Sequence, residues 1–286
     1  MKPLPFLPTI ALFALGLSAL TPVQAAQPIP AEAKTNGFLL GTQSYTFNRF
    51  TFEEACAKTA AAGVKTTELF PGQKISPTRP NEKTEPNVSP EGLEEIKAIL
   101  KKNGLQAVAL GVVGIPKDEA AARKVFQFAK ELGIRVLNTE STDSIDTIEK
   151  MVKEFDIKVG YHNHPHNPNN PNYKVWDPQY ILELTKDRDP RIGSCADMGH
   201  WTNSGLVATD CIRLLKGRVV SSHLKEIAHG STKCTRPGEG RAKLDEALKA
   251  LKEVGFDGPI SIEHEANWED NLEDVKSYVS FVKALK

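Results

Sequence analysis

The sequence predicts an α/β protein built as a single (β/α)8 TIM barrel, and three observations carry that prediction. Short apolar runs alternate with segments of helical periodicity eight times along the 286-residue chain. The strand runs are apolar at consecutive positions rather than alternate ones, as expected of parallel strands covered on both faces. About 260 residues follow an amino-terminal leader, the usual size of one such barrel. An open doubly wound sheet would carry a glycine-rich phosphate loop after its first strand, where this chain reads Gly41-Thr42-Gln43-Ser44-Tyr45.

The elements follow in order. Residues 1–25 read as a cleaved secretory signal: Lys2 precedes an apolar run from Leu4 to Leu20, and Val23-Gln24-Ala25 supplies a small-x-small cleavage step. The barrel domain is then 26–286, exported to a bacterial periplasm or secreted, with no membrane attachment once the leader is removed. Strand one is Phe38 to Ser44, and Thr51 to Ala62 repeats apolar positions at helical spacing. Val64 to Phe70 is strand two, Pro90 to Lys102 a helix with proline near its start, and Leu105 to Val112 strand three. Pro116 to Leu132 is helical and ends at Gly133, where a left-handed residue is expected. Further strands are Ile134 to Glu140, Ile157 to Asn163, Ile192 to Asp197, Val219 to His223 and Pro259 to Glu263. Helices near 143–155, 178–186, 205–215, 243–254 and 272–285 fill the gaps. Two long connections, Pro71 to Ser89 and Pro165 to Asp177, follow strands and so belong to the carboxy-terminal rim, where barrels place their catalytic loops.

Composition narrows the function. Lys plus Arg and Asp plus Glu are 36 each, so the basic excess of a nucleic-acid binder is missing. Cys56, Cys195, Cys211 and Cys234 lie far apart without a C-x-x-C pair, which points to neither a disulfide framework nor a structural zinc site. One bridge is compatible with an oxidising compartment.

Four acidic or imidazole side chains stand where predicted strands end: Glu140 in LNTES, Asp197 in CADMGHW, His223 in SSHLKE and Glu263 in SIEHE. Three carboxylates and an imidazole delivered to one rim make an oxygen-rich site for one divalent cation, with positions left for substrate. His162 and His164 stand two apart in YHNHPHN and share a strand face, which is expected to point inward toward substrate. Lys225 follows His223 by two on the same face, where its ammonium either holds a substrate oxygen or pairs with Glu226 or Glu265. His200, just past a strand end, is either a capping residue or part of the site. Glu68, Trp201 and Trp268 are weaker candidates near the rim, and Glu265 is placed to orient a ligand. His166 and His229 read as surface residues.

Glu140, the step Asp197-Met198-Gly199-His200, the run His223-Leu224-Lys225-Glu226, the loop Gly238-Glu239-Gly240 and the stretch Phe256 to Glu263 together resemble the sugar phosphate isomerase/epimerase family. These are xylose isomerase-like TIM barrels, a grouping that also takes in apurinic endonucleases. The likeness runs from Gly41 to the last helix and is most specific in the carboxy-terminal half. It implies one divalent metal, Mn²⁺ first, with Mg²⁺, Co²⁺ or Zn²⁺ as alternatives, held by Glu140, Asp197, His223 and Glu263. It further implies Glu140 and Glu263 as a catalytic acid/base pair acting through an enediolate, and His200 lining the substrate site beside His162, His164 and Lys225.

The resemblance thus implies an exported metal-dependent sugar isomerase or epimerase, or a lyase eliminating from 3-keto-glycosides on the same site. A homo-oligomer is compatible with it. A non-catalytic carbohydrate-binding barrel is the alternative of another class. Ketose 3-epimerases carry an arginine several residues beyond the histidine of strand seven, and here HLKEIAHG has none before Arg236. A metal-dependent endonuclease would need further histidines after strands two and three and an Asp-x-His after strand seven, and the sequence has neither.

Overall fold

The structure, a computed structural model, describes residues 29–286, so the expected leader at 1–25 lies outside the described residues. The elements are β1 (Leu39–Gln43), α1 (Phe52–Ala61), β2 (Thr66–Leu69), β3 (Lys74–Ser76), β4 (Arg79–Lys83), α2 (Pro90–Lys102), β5 (Gln106–Leu110) and α3 (Glu119–Glu131). There follow β6 (Val136–Thr139), α4 (Ile145–Phe155), β7 (Lys158–His162), α5 (Pro178–Thr185), β8 (Ile192–Asp197), α6 (Met198–Asn203) and α7 (Ala208–Leu214). The chain ends with β9 (Val219–Leu224), α8 (Leu244–Glu253), β10 (Pro259–Ile262) and α9 (Leu272–Ala284). Eight parallel strands close in the order β1-β10-β9-β8-β7-β6-β5-β2, the closed barrel that the alternation predicts. β3 and β4 form a separate antiparallel hairpin inside the first long connection.

Local chemistry sets the element ends. Thr51 and Glu54 close a capping box on α1, Ser89 caps α2 with Pro90 in its first turn, and Asp118 caps α3. Gly133 takes the expected left-handed conformation, with φ of 71°, just past α3. The helices bury one stripe each: in α4, Ile145, Ile148, Met151 and Val152 recur at helical spacing and pack on the barrel's outside. At about 25 cal/mol per Å² of apolar surface removed from water, these stripes supply the main drive for closure.

The interior beneath the carboxy-terminal rim is polar. Asn138 of β6 donates to Glu68 of β2 at 2.7 Å and accepts from Ser221 of β9 at 2.6 Å, while Ser261 of β10 donates to Glu68 at 2.6 Å. All four side chains are buried, so the net binds four strands together and fixes their relative rotation. Gly160 leaves it room, since a Cβ there would lie 2.9 Å from the Asn138 side-chain oxygen. The four cysteines are all free, so the bridge that an oxidising compartment would permit is not formed.

Candidate active site

Parallel pairing in register sets the site. Asp197 and His223, the last or nearly last residues of β8 and β9, are direct neighbours, and His223 pairs with Ser261 just before Glu263. His162 ends β7 beside Cys195, and Glu140 follows the end of β6. β6 and β10 stand four strands apart in a ring of eight, so Glu140 and Glu263 approach from opposite sides.

Ligand atoms of His162, Asp197, His223 and Glu263 lie within 4.8 Å of one another, all four residues buried. Glu140 is not in that group. It stands in a second one with His162 and His164, its Oε1 4.0 Å from His162 Nδ1. Three of the four expected metal ligands therefore come together, with His162 where Glu140 was expected and Glu140 one residue further out.

His223 is held from two sides. Nε2 lies 3.0 Å from Glu68 Oε2 and Nδ1 lies 2.9 Å from Glu263 Oε2. Burial opposes charge on this imidazole, but Cys195, Glu68 and Glu263 together hold its pKa well above the ordinary value. Asp197 divides its carboxylate: Oδ1 accepts the His200 N–H at 2.7 Å, capping α6, while buried Oδ2 has no hydrogen-bond partner among the described residues, its nearest cation being Lys225 Nζ at 3.3 Å. That oxygen lies 3.6 Å from both His162 Nε2 and His223 Nδ1. Neither ring nitrogen of His162 makes a hydrogen bond among the described residues, and burial pushes its pKa down, so the ring is neutral. A buried carboxylate oxygen and a neutral imidazole, both without a hydrogen bond among the described residues, fit a divalent cation by their chemistry.

Lys225 is wholly buried and makes the expected pair with Glu265. Its Nζ lies 2.9 Å from Glu263 Oε2, 3.3 Å from Asp197 Oδ2 and 3.4 Å from Glu265 Oε1. It also donates to His200 Nε2 at 2.9 Å. Burial opposes the ammonium, yet Asp197, Glu263 and Glu265 keep its pKa well above the usual lysine value, so it stays charged. Burial likewise depresses the His200 pKa to about 3, keeping that ring a neutral acceptor. Gly199 makes this possible by close approach: a Cβ there would stand 2.6 Å from Lys225 Cγ. Glu226, the other expected partner, faces the opposite way and accepts from the Ile227 and Ala242 N–H groups.

Glu140 is gripped by the second long loop. Its Oε1 lies 2.5 Å from His164 Nδ1 and accepts the Tyr173 hydroxyl at 2.7 Å, and Tyr173 in turn accepts the His164 N–H at 2.7 Å. Burial would raise the Glu140 pKa, but His164 and Tyr173 outweigh it, so the carboxyl is ionised. His162 points inward and is buried, while His164, past the end of β7 and half exposed, sits at the site's edge with the rings 4.7 Å apart. His166 instead packs against Trp176 in the loop, ring centroids 4.4 Å apart and planes tilted by 50°. Trp201 is 1% exposed and packs in the core, so it offers no platform to a sugar. Gln43, Tyr45, Phe70, His162, His164, Glu263 and others enclose a cavity of about 270 Å³ over this cluster.

Sequence reasoning undervalued Glu68 and missed Tyr173. The strand-terminal position of Glu68 after an apolar run was the available signal; for Tyr173, in an irregular loop, there was none.

A family model described as xylose isomerase-like TIM barrel matches residues 56–284. An uncharacterized protein of Methanocaldococcus jannaschii is 28% identical over 145 residues, which is 49% of this chain and 48% of that protein, so the chain spans about half the length of this curated relative. Among solved structures, an uncharacterized protein of Parabacteroides distasonis ATCC 8503 superposes with a TM-score of 0.69 at 25% identity, over 87% of this chain and all of that one. D-psicose 3-epimerase of Clostridium cellulolyticum H10, solved with D-tagatose, gives 0.67 at 14% identity over 86% and 98%. At that identity the second likeness is one of fold.

Proposed function

The chain belongs to the xylose isomerase-like TIM barrel family, and on that footing we propose that it is a divalent-metal-dependent sugar isomerase or epimerase. In this reading it moves a proton beside a sugar carbonyl through an enediolate. The observation that carries the proposal is the approach of two ionised carboxylates, Glu140 and Glu263, from opposite sides of the barrel to a buried cluster in which Asp197 Oδ2 and both His162 nitrogens have no hydrogen-bond partner among the described residues. The ketose named with the Clostridium epimerase structure supports sugars as the substrate class.

His162, Asp197, His223 and Glu263 would hold the ion, with Glu140 at their edge; Mn²⁺ is the first candidate. When bound, the ion stabilises negative charge on the carbonyl oxygen as the neighbouring carbon loses its proton, a contribution of several kcal/mol. Glu140 takes the proton, oriented by His164 and Tyr173, and Glu263 on the far side returns one. Lys225, committed to Glu263, Asp197, Glu265 and His200, holds those carboxylates in place, and His200, accepting from it at Nε2, is left with its Nδ1 proton to donate. His164, half exposed at the cavity mouth, contacts substrate as it enters.

Protein loaded with Mn²⁺ and given D-fructose, D-tagatose or a 3-keto-glycoside in D₂O should place deuterium on the carbon beside the carbonyl, read by NMR. Glu140→Gln should lower that rate by about 10²–10⁴-fold while sugar binding persists. A complete lack of deuterium in every sugar, with metal bound, sinks the enzymatic reading and leaves a binding barrel. Export to the periplasm or medium is a separate proposal, resting on residues 1–25. A native amino terminus near Ala26 supports it, and retention of Met1 overturns it.

A further inference from the structure

A second and larger cleft opens on the same rim. It measures about 670 Å³ and is walled by the connections after β9 and β10, which run through Lys233–Glu239 and His264–Asp274. Glu265 lines both this cleft and the 270 Å³ catalytic cavity, so one side chain divides them. That divider is anchored to the site, its carboxylate 3.4 Å from Lys225 Nζ. Across the same boundary Tyr45 of the cavity and Trp268 of the cleft meet edge to face, with ring centroids 5.8 Å apart. Tyr45 is 36% exposed, which is unusual for a large aromatic in this chain.

The cleft's chemistry restricts its occupant. Lys233 and Arg236 face Glu239, Glu265 and Asp274, so the charges nearly cancel. Arg236 Nε is committed to Asp274 at 2.6 Å, and Asn267 donates to the same carboxylate at 2.7 Å. A phosphate or polyanion would find few uncommitted cations here. A neutral polyol would find donors and acceptors on both walls and an indole beside them, the combination that suits a pyranose. Small-molecule sites occupy roughly 300–1,000 Å³; the catalytic cavity alone falls just short of that range, and the cleft lies well within it.

We propose that this cleft is a second sugar-ring subsite, and that the substrate is a glycosylated keto-sugar of disaccharide size or larger. The keto ring lies between Glu140 and Glu263, and the attached ring passes Glu265 to rest against Trp268. This inference rests on the reading of the barrel as a keto-sugar enzyme and specifies what that enzyme takes.

The test follows deuterium exchange in D₂O on the full-length, Mn²⁺-loaded protein, with D-fructose and the fructose-ended disaccharides maltulose, isomaltulose and lactulose as probes. At least one disaccharide should exceed fructose in kcat/KM by about tenfold, the equivalent of 1.4 kcal/mol. Trp268→Ala should bring that ratio back toward one, and Lys233→Ala, a truncation of an exposed side chain, should lower it without unfolding the protein. Disaccharides no better than fructose, with both variants affecting the two sugars alike, overturn the subsite and leave the proton-transfer reading standing. If no sugar exchanges, saturation-transfer NMR with the same disaccharides decides. Magnetisation on the non-keto ring that Trp268→Ala abolishes keeps the subsite while sinking the enzymatic reading, and no transfer to that ring sinks both.

Discussion

Glu68 Oε2 accepts from His223 Nε2 at 3.0 Å, joining β2 to β9 through the barrel interior, and this fixes which nitrogen of His223 faces the site. With Nε2 occupied, Nδ1 is turned toward Asp197 and Glu263. A carboxylate behind a ligating imidazole sets its tautomer and orientation and raises its basicity.

Glu68→Ala should therefore weaken Mn²⁺ binding by about 10–100-fold, as measured by competition with a chelator. It also strands the buried groups of Asn138, Ser261 and His223, so urea denaturation should show a loss of about 2–4 kcal/mol. Wild-type metal affinity in a folded variant would remove Glu68 from the site.

The Lys225 ammonium holds Asp197, Glu263 and Glu265 together, with the His223 imidazolium sharing Asp197 and Glu263. Lys225→Met should destabilise the metal-free protein by about 3–5 kcal/mol, because it leaves three neighbouring carboxylates with only the His223 imidazole against them. Mn²⁺ should then raise the melting temperature of the variant more than that of the wild type, by supplying the missing charge. Equal shifts in a thermal scan would show that the lysine and the ion act on separate groups.

Gly199→Ala tests the same lysine from the other side. The new Cβ would press on Lys225 Cγ at 2.6 Å, and the chain packed around it has no free space to yield. A loss of about 1–3 kcal/mol is expected, with an accompanying fall in sugar affinity if Lys225 contacts substrate. Calorimetry reads both, and an unperturbed variant would show that α6 shifts freely.

Far from the site, Arg191 grips Asp189 through two hydrogen bonds of 2.8 Å, which lower the Asp189 pKa to about 2. A carboxyl whose folded pKa lies below its unfolded value stabilises above that unfolded value, near 3.9, and loses the contribution as pH falls toward 2. At the protein surface the contribution is discounted for solvent to about 1 kcal/mol. Asp189→Asn should narrow the stability difference between pH 6 and pH 3 by that amount in urea titrations; an unchanged difference would show that the pair is screened out.

The barrel itself was legible because parallel strands buried on both faces leave long apolar runs, and polar residues at their ends, such as Asp197 and His223, stand out against them. The hairpin β3–β4 was not, since Arg79 and Lys83 read as loop and its anchorage is the ion pairing of Arg79 with Glu82 and Glu95. The short helix α6 was hidden for a related reason: its signal is a single cap by Asp197, a residue already read as a ligand. Spacing alone put His162 on an inward face, but only the register of β7 beside β8 brings it to 3.6 Å from Asp197 Oδ2. Glu140 shows the limit most clearly. Its strand position is as expected, while the direction of its carboxylate is decided by Tyr173, thirty-three residues away in an irregular loop.

That loop contact yields the last prediction. Tyr173 donates to Glu140 and accepts from the His164 N–H, so it ties the proposed base to the loop that walls a neighbouring pocket with Glu140, His164 alone also lining the cavity. Tyr173→Phe keeps the ring and its packing but removes one of the two strong donors on Glu140 Oε1, leaving His164 Nδ1 alone. The hydroxyl makes two hydrogen bonds, each contributing about 0.5–1.5 kcal/mol net, so stability should fall by no more than about 1–3 kcal/mol. If Tyr173 positions Glu140 for proton abstraction, kcat for exchange should fall by roughly three- to thirtyfold with KM nearly constant, because the lost orientation matters most in the transition state. A rise in KM with kcat preserved would instead make Tyr173 a substrate contact, and no change in either would mean that His164 holds the carboxylate unaided.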